Sequence, residues 1–178
     1  MATLRLRPLR PADEVPARAV HREMGEEFRF LLGDDPALAW AAHLKMLEDQ
    51  RRGEHLPPGI VPATFLVADL DGEIVGRSSI RHVLNQSLAK VGGHIGYAVA
   101  PAHRGKGYAT EILRQSVIIA SSLGVNHVLL TCDVGNTASA KVIEACGGKY
   151  ESTVEVGPGE PPKHRYWITP GNPVGAGG

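Results

Sequence analysis

The residues best equipped for chemistry are crowded between a strand-like and a helix-like stretch. From His94 to Leu113 the chain reads HIGYAVAPAHRGKGYATEIL, with two glycines around a lysine and an arginine ahead of them. The first half alternates like a strand. The second carries apolar residues at Ala109, Ile112, Leu113, Val117, Ala120 and Leu123, the spacing of one helix face. A helix N-terminus exposes unpaired N–H groups and a partial positive charge, which phosphate oxygens match. Glycine lets the backbone approach an anion without a Cβ in the way. Arg104 and Lys106 add positive charge. Residues 104–110 therefore suit a phosphorylated ligand, above all a pyrophosphate. The plainer reading is a loop that needs glycine for its turn. The strand before it and the long amphipathic helix after it reduce that reading's weight.

Two familiar phosphate loops do not match. A Walker A loop needs four residues between its first glycine and a Gly-Lys-Ser/Thr, and no such string occurs. A dinucleotide fingerprint needs a third small residue where Thr110 follows Gly105 and Gly107, and it normally opens a parallel sheet.

The elements that position this loop can be read around it. A strand is expected over 3–8 and a helix over 13–30. Asp34 or Asp35 is expected to cap a second helix, with Pro36 at its first position, ending near Arg52 before Gly53. Residues 53–62 form a Pro/Gly loop. Asp71-Gly72 joins strands 63–70 and 73–84 as a tight hairpin. After a turn over 85–93 come a strand over 93–100, a helix over 105–123 stopped by Gly124, and an apolar, central strand over 125–133. A short helix over 136–148 and strands over 149–156 and 164–169 close the domain. The expected architecture is α/β: one domain over 1–170, a mixed, mostly antiparallel sheet with helices on both faces, and a parallel crossover from 93 to 132. A disordered Gly-rich tail over 171–178 follows.

Composition narrows the function classes. The 178 residues carry no formal net charge, 43% are hydrophobic and 21% charged, as in an ordinary globular protein. Neutrality argues against coating nucleic acid or an anionic membrane. Cys132 and Cys146 form no C-x-x-C pair and have no metal-ligand spacing to a histidine, so free thiols in a reducing compartment are expected. The N-terminal charges precede no apolar run, and no stretch reaches a membrane span; a cytoplasmic location is expected. His21, His43, His55, His103, His127 and His164 have no partner at metal spacing, and no metal is expected.

The pattern Arg-x-x-Gly-x-Ala at 104–109, after IGYAVAP, resembles the GNAT superfamily of acetyl-CoA-dependent N-acetyltransferases. Their signature, Gln/Arg-x-x-Gly-x-Gly/Ala, lies on a strand-to-helix loop. TCDVGNTASAKVIEACGG resembles the later strand, asparagine and helix of that superfamily, and the element order from Thr3 to Thr169 matches. IRHVLN, GGHIGY, TCD and RYWI are together similar to one bacterial branch of it.

The resemblance implies a GNAT-like sheet with a central splay between the fourth and fifth strands, where the acetyl thioester lies. It implies acetyl-CoA as co-substrate, no metal, and direct attack by a primary amine of a small-molecule or peptide acceptor. Tyr97 and Val99 would line the thioester, with the Val99 N–H at the oxyanion. The N–H groups of Arg104, Gly105, Lys106, Gly107, Tyr108, Ala109 and Thr110 would hold the pyrophosphate. Asn136 and Ser139 would meet the pantetheine arm. His94 is the first candidate for a base, although alternation points it away from Ile95, Tyr97 and Val99, and a structural role weighs equally. His82 is the second. Arg81 and Asn85 either bind a carboxylate or amide of the acceptor or sit solvated on the sheet. Many relatives carry an acid tyrosine where this chain has Ile143, which keeps open a non-catalytic acyl-CoA-binding module. A nucleotide- or NAD-binding protein is a third reading, from the loop alone. A homodimer is common among such proteins.

Overall fold

The Asp71-Gly72 turn closes the hairpin around which the fold is built. Its two residues take φ of 51° and 97°, the left-handed geometry that matches a two-residue turn to the twist of its strands. A computed structural model describes residues 2–33 and 35–171. β1 (Leu4–Arg7), β2 (Ala63–Leu70), β3 (Glu73–Arg81) and β4 (Ile95–Val99) form one antiparallel sheet in that order. β5 (Val128–Asp133), β6 (Lys149–Val154) and β7 (Lys163–Ile168) form a second, in the order β5-β7-β6.

The helices fall in the expected order with shifted ends. α1 (Glu14–Met24) stops well short of the expected Phe30, because Gly25 takes φ 55° and ends it. α2 (Trp40–Arg52) starts later than expected. Asp35 caps a turn ahead of it, its Oδ1 accepting from the Ala37 N–H at 2.9 Å. Asp34, the other expected cap, lies outside the described residues, as do 172–178 of the expected tail. α3 (Tyr108–Ser122) and α4 (Thr137–Ala145) follow β4 and β5. The expected turn over 85–93 contains a π-helical turn, Leu88–Gly92.

Alternation along β2 divides the core. Phe65 and Val67 pack with Ala17, Met24 and Trp40 on the α1–α2 face. Leu66 and Ala68 turn to the α3 face, where Leu113, Val117 and Ala120 join β5 and β7 residues. On that face the buried Ser116 hydroxyl donates to Ser78 Oγ at 2.7 Å.

The sequence suggests a parallel crossover from β4 to β5, with β5 central. They share no ladder, and β5 borders the gap instead. Hydrogen bonds join them at one end: the His94 N–H donates to the Leu129 carbonyl at 2.7 Å, and the Leu129 N–H donates to His94 Nδ1 at 2.9 Å. Gly93 permits this approach. Its φ is 69°, and a Cβ there would lie 2.6 Å from the Leu129 oxygen. Past this pinch lies the expected splay between the fourth and fifth strands.

A buried ion network ties β1 to the chain around it. Arg7 Nε donates to Asp69 at 2.6 Å, and its Nη1 and Nη2 donate to Asp13 at 2.6 and 3.0 Å. Asp13 also accepts from the Arg10 N–H, and Asp69 from the Gly72 N–H at the hairpin. Burial pushes both carboxyls up, but hydrogen bonds from Arg7 and the backbone outweigh it and hold both below the ordinary aspartate value.

Arg7→Met should lower stability by about 3–5 kcal/mol at pH 7, because two buried carboxylates lose their partner. Depressed carboxyl pKa values contribute stability above the unfolded value, near ~4, and lose it as pH falls through the folded value. The gap between the variants in urea denaturation should therefore narrow below about pH 4. Gly93→Ala should cost about 1–3 kcal/mol, since it adds strain at positive φ and crowds Leu129; urea denaturation measures this as well.

Candidate active site at the splay

Hydrogen-bond parity decides which backbone groups face the gap. The Arg81 N–H donates to the His94 carbonyl at 2.7 Å and the Ala100 N–H to the Val75 carbonyl at 2.9 Å. With the register Ser79↔Gly96 and Arg77↔Ala98, the even-numbered residues of β4 bond β3. In an antiparallel pair the intervening residues turn their N–H and C=O groups the other way. Ile95, Tyr97 and Val99 therefore present theirs to the splay. The Val99 side chain is buried with Val75 and Ile112, so only its backbone is available there, and its carbonyl accepts from Arg104 Nε at 3.3 Å. The Tyr97 phenol crosses the gap to Ser139 of α4, at 2.9 Å. Burial pushes its pKa up to about 12, so it keeps its proton.

At the mouth of the splay, Gly105 and Gly107 take φ of 75° and 81°. A Cβ at either would meet nothing within 4 Å, so conformation rather than crowding calls for glycine. Gly107 is the N-cap of α3 and supplies no side-chain acceptor. The first N–H groups of this fifteen-residue helix, at Tyr108, Ala109 and Thr110, thus lack a capping side chain. Arg104 is exposed beside them, and Lys106 Nζ donates to the Ala102 carbonyl at 3.3 Å. The helix begins later than expected because the two glycines at positive φ belong to the loop. Across the gap Asn136 caps α4, its Oδ1 accepting from the Ser139 N–H at 3.0 Å. The Asp133 carbonyl receives the Asn136 N–H, and the Asp133 carboxylate pairs with Lys163.

The two histidine candidates are both engaged elsewhere. His94 is buried, and its Nδ1 accepts from Leu129 N–H, which leaves the proton of the neutral ring on Nε2. Burial and then the Arg81 charge push its pKa down. His82 Nε2 lies 2.8 Å from Thr64 Oγ1. Thr64 pairs with Ile80, on the face opposite Arg77, Ser79 and Arg81. Asn85 ties two loops, accepting from the Leu88 N–H and donating to the Gly59 carbonyl. Ile143 is fully buried core, and burial keeps Cys132 a thiol.

Sequence reading missed Arg77. Its guanidinium is buried on the α1–α2 face of β3, lies 4.4 Å from the Phe28 ring centre, and donates to the Arg29 carbonyl at 3.1 Å. Alternation along β3 already aligns Arg77 with Arg81; only the fold reveals that, among the described residues, no carboxylate forms an ion pair with either.

The chain is similar to known proteins in sequence and in fold. The Acetyltransferase (GNAT) domain family matches residues 3–149. No curated protein matches. Among solved structures, a putative acetyltransferase of Salmonella typhimurium, yncA, with its cofactor acetyl-CoA, is 16% identical, covers 97% of this chain and 96% of its own, and has a TM-score of 0.64. RimJ of Mycobacterium smegmatis, in complex with CoA-disulfide, is 21% identical over 94% of this chain and 82% of its own, with a TM-score of 0.69. The ribosomal-protein-S5-alanine acetyltransferase of Vibrio fischeri is 15% identical over 97% and 98%, with a TM-score of 0.67. The structural likenesses establish the fold, and the family match, which spans most of the sequence, establishes that this chain is an acyltransferase belonging to the GNAT acetyltransferase family.

Proposed function

We propose that the protein is an N-acetyltransferase that takes acetyl-CoA in the splay between β4 and β5 and acetylates a primary amine. One observation carries this: the N–H and C=O groups of Tyr97 and Val99 face the same gap whose mouth holds the uncapped N-terminus of α3. A polar strand edge beside a bare helix end suits a ligand with an amide-bearing arm and a pyrophosphate. Bound there, acetyl-CoA supplies an activated acetyl group that an amine can take by direct attack.

The chain's own residues would act as follows. N–H groups from Gly105 to Thr110 hold the pyrophosphate, with the Arg104 and Lys106 side chains adding charge; the Arg104 N–H, expected to join them, instead donates to the Pro101 carbonyl at 3.3 Å. Tyr97 and Val99 align the arm through their backbone, and a fixed N–H there stabilises charge developing on the carbonyl oxygen, a contribution of ~2.7–4 kcal/mol when such a donor is removed elsewhere. Asn136 and Ser139 border the arm from α4. The protonated Tyr97 phenol is a hydrogen-bond donor for the leaving sulfur, where Ile143 offers none. His94 is assigned a positioning role, because protonating Nδ1 would break its bond to Leu129.

Acetyl-CoA and CoA, but not NAD or ATP, should raise the melting temperature. At about 100 times its dissociation constant a ligand adds ~2.7 kcal/mol, roughly 5–10 °C for this size. Gly107→Glu, which sets a carboxylate in the anion site, should abolish the shift. A shift with NAD or ATP alone would overturn the reading, and acetyl-CoA binding without CoA release across a broad amine panel would leave a binding module. His94→Asn restores an acceptor where Nδ1 stands, so kcat/KM should change only a few-fold with an unaltered pH profile. A loss on the order of 10²–10⁴-fold, with the acid limb gone, would instead make His94 the base.

A further inference from the structure

A cavity of about 580 Å³ opens on the α1–α2 side of the sheet, within the size range of small-molecule sites. Met46, Leu56 and Ile60 supply apolar wall, while Ser79 and Arg81 of β3 line it from the sheet. Ser79 pairs with Gly96, the neighbour of Tyr97, so the cavity lies one strand from the splay. Its polar rim carries Lys45, paired with Asp49 at 2.6 Å, and the exposed Glu54 and His55.

The charge at the sheet is unbalanced. Arg81 is half-buried, and its Nη1 donates only to carbonyls, Gly93 at 2.8 Å and Gly92 at 3.3 Å. Arg77, on the same face, is 4% exposed. It donates to the Arg29 and Gly96 carbonyls, and its Nε has no partner. Among the described residues no carboxylate forms an ion pair with either. The buried Arg7, by contrast, has two. Burial drives Arg77 down to about 9 and lowers Arg81 as well, the mark of cations held without counter-charge. A guanidinium fork matches a carboxylate in two parallel hydrogen bonds.

The separation of the two ends sets the ligand's length. Arg81 is anchored at Gly93, four residues before Tyr97, on the order of 13 Å along an extended strand. Allowing for contact at each end, the nitrogen and the acid of a bound molecule would stand on the order of 10 Å apart.

We propose that the acceptor is a carboxylate-bearing amine with an apolar spacer, its acid held by Arg81 in this cavity and its amine directed to β4. This rests on the reading that acetyl transfer occurs at the splay. Arg77 reinforces the positive field from behind and disfavours polycationic acceptors such as spermidine.

The test is CoA release with ω-amino acids of increasing length, from glycine to 8-aminooctanoate, beside the matching ω-amino amides and spermidine. The full chain is used, with acetyl-CoA binding followed separately by thermal shift. Expected are a kcat/KM at least about tenfold higher for 8-aminooctanoate than for its amide, a rise along the acid series, and little release with spermidine. Arg81→Gln should reduce the acid-to-amide ratio towards one while retaining the acetyl-CoA shift. Equal rates for acid and amide in the wild type, or a preference for spermidine, would overturn the proposal and leave the transferase reading intact. An acetyl-CoA shift without release from any amine would defeat both.

Discussion

Everything at the candidate site depends on the pinch between β4 and β5. Two hydrogen bonds, both between His94 and Leu129, hold the strands at one end. Were the strands paired along their length, the N–H and C=O groups of Tyr97 and Val99 would be consumed by a ladder. Were they not joined at all, the two sheets would have no fixed separation. A backbone polar group kept away from water needs a partner, so an edge left open inside a fold is informative about what is meant to meet it. Gly93 makes the pinch feasible, because no residue with a Cβ can bring its backbone that close to Leu129 without displacement.

The surrounding architecture keeps the gap in shape. α3 is seated on the four-stranded sheet by Leu113, Val117 and Ala120 and by the buried Ser116–Ser78 hydrogen bond. Its N-terminus is therefore held at the mouth of the splay by packing further down the helix. On the far side, Asn136 fixes the start of α4, and Tyr97–Ser139 spans the opening. The positive end of one helix and the hydroxyl of another are thus set by contacts that do not themselves involve a ligand.

The sequence made local features legible and left pairings hidden. Gly105, Gly107 and the apolar spacing after them announced a helix beginning at a basic loop, because that information lies within a few residues. The Asp71-Gly72 turn was equally local. The role of His94 was not legible: alternation aimed it away from Tyr97, but that its ring would accept from Leu129 depends on a strand more than thirty residues distant. The end of α1 was misjudged because apolar spacing continues past Gly25, where backbone conformation overrides it. Arg77 and Arg81 stand at alternate positions that anyone can count. That no carboxylate among the described residues pairs with them is a property of the folded neighbourhood.

The division of the apolar core into separate clusters on the two faces of the four-stranded sheet bears on how such a chain can diverge. Substitutions that share no partner and lie well apart act additively. Changes at Trp40 or Met46 therefore have few routes by which to disturb α3 or β5, whereas the 54–61 loop reaches the turn before Gly93 through Asn85. The α1–α2 half is free to explore new walls while the strand edge and helix end on the other side stay under their own constraint. Low epistasis between the halves lets one scaffold change its clientele through a succession of individually tolerable steps.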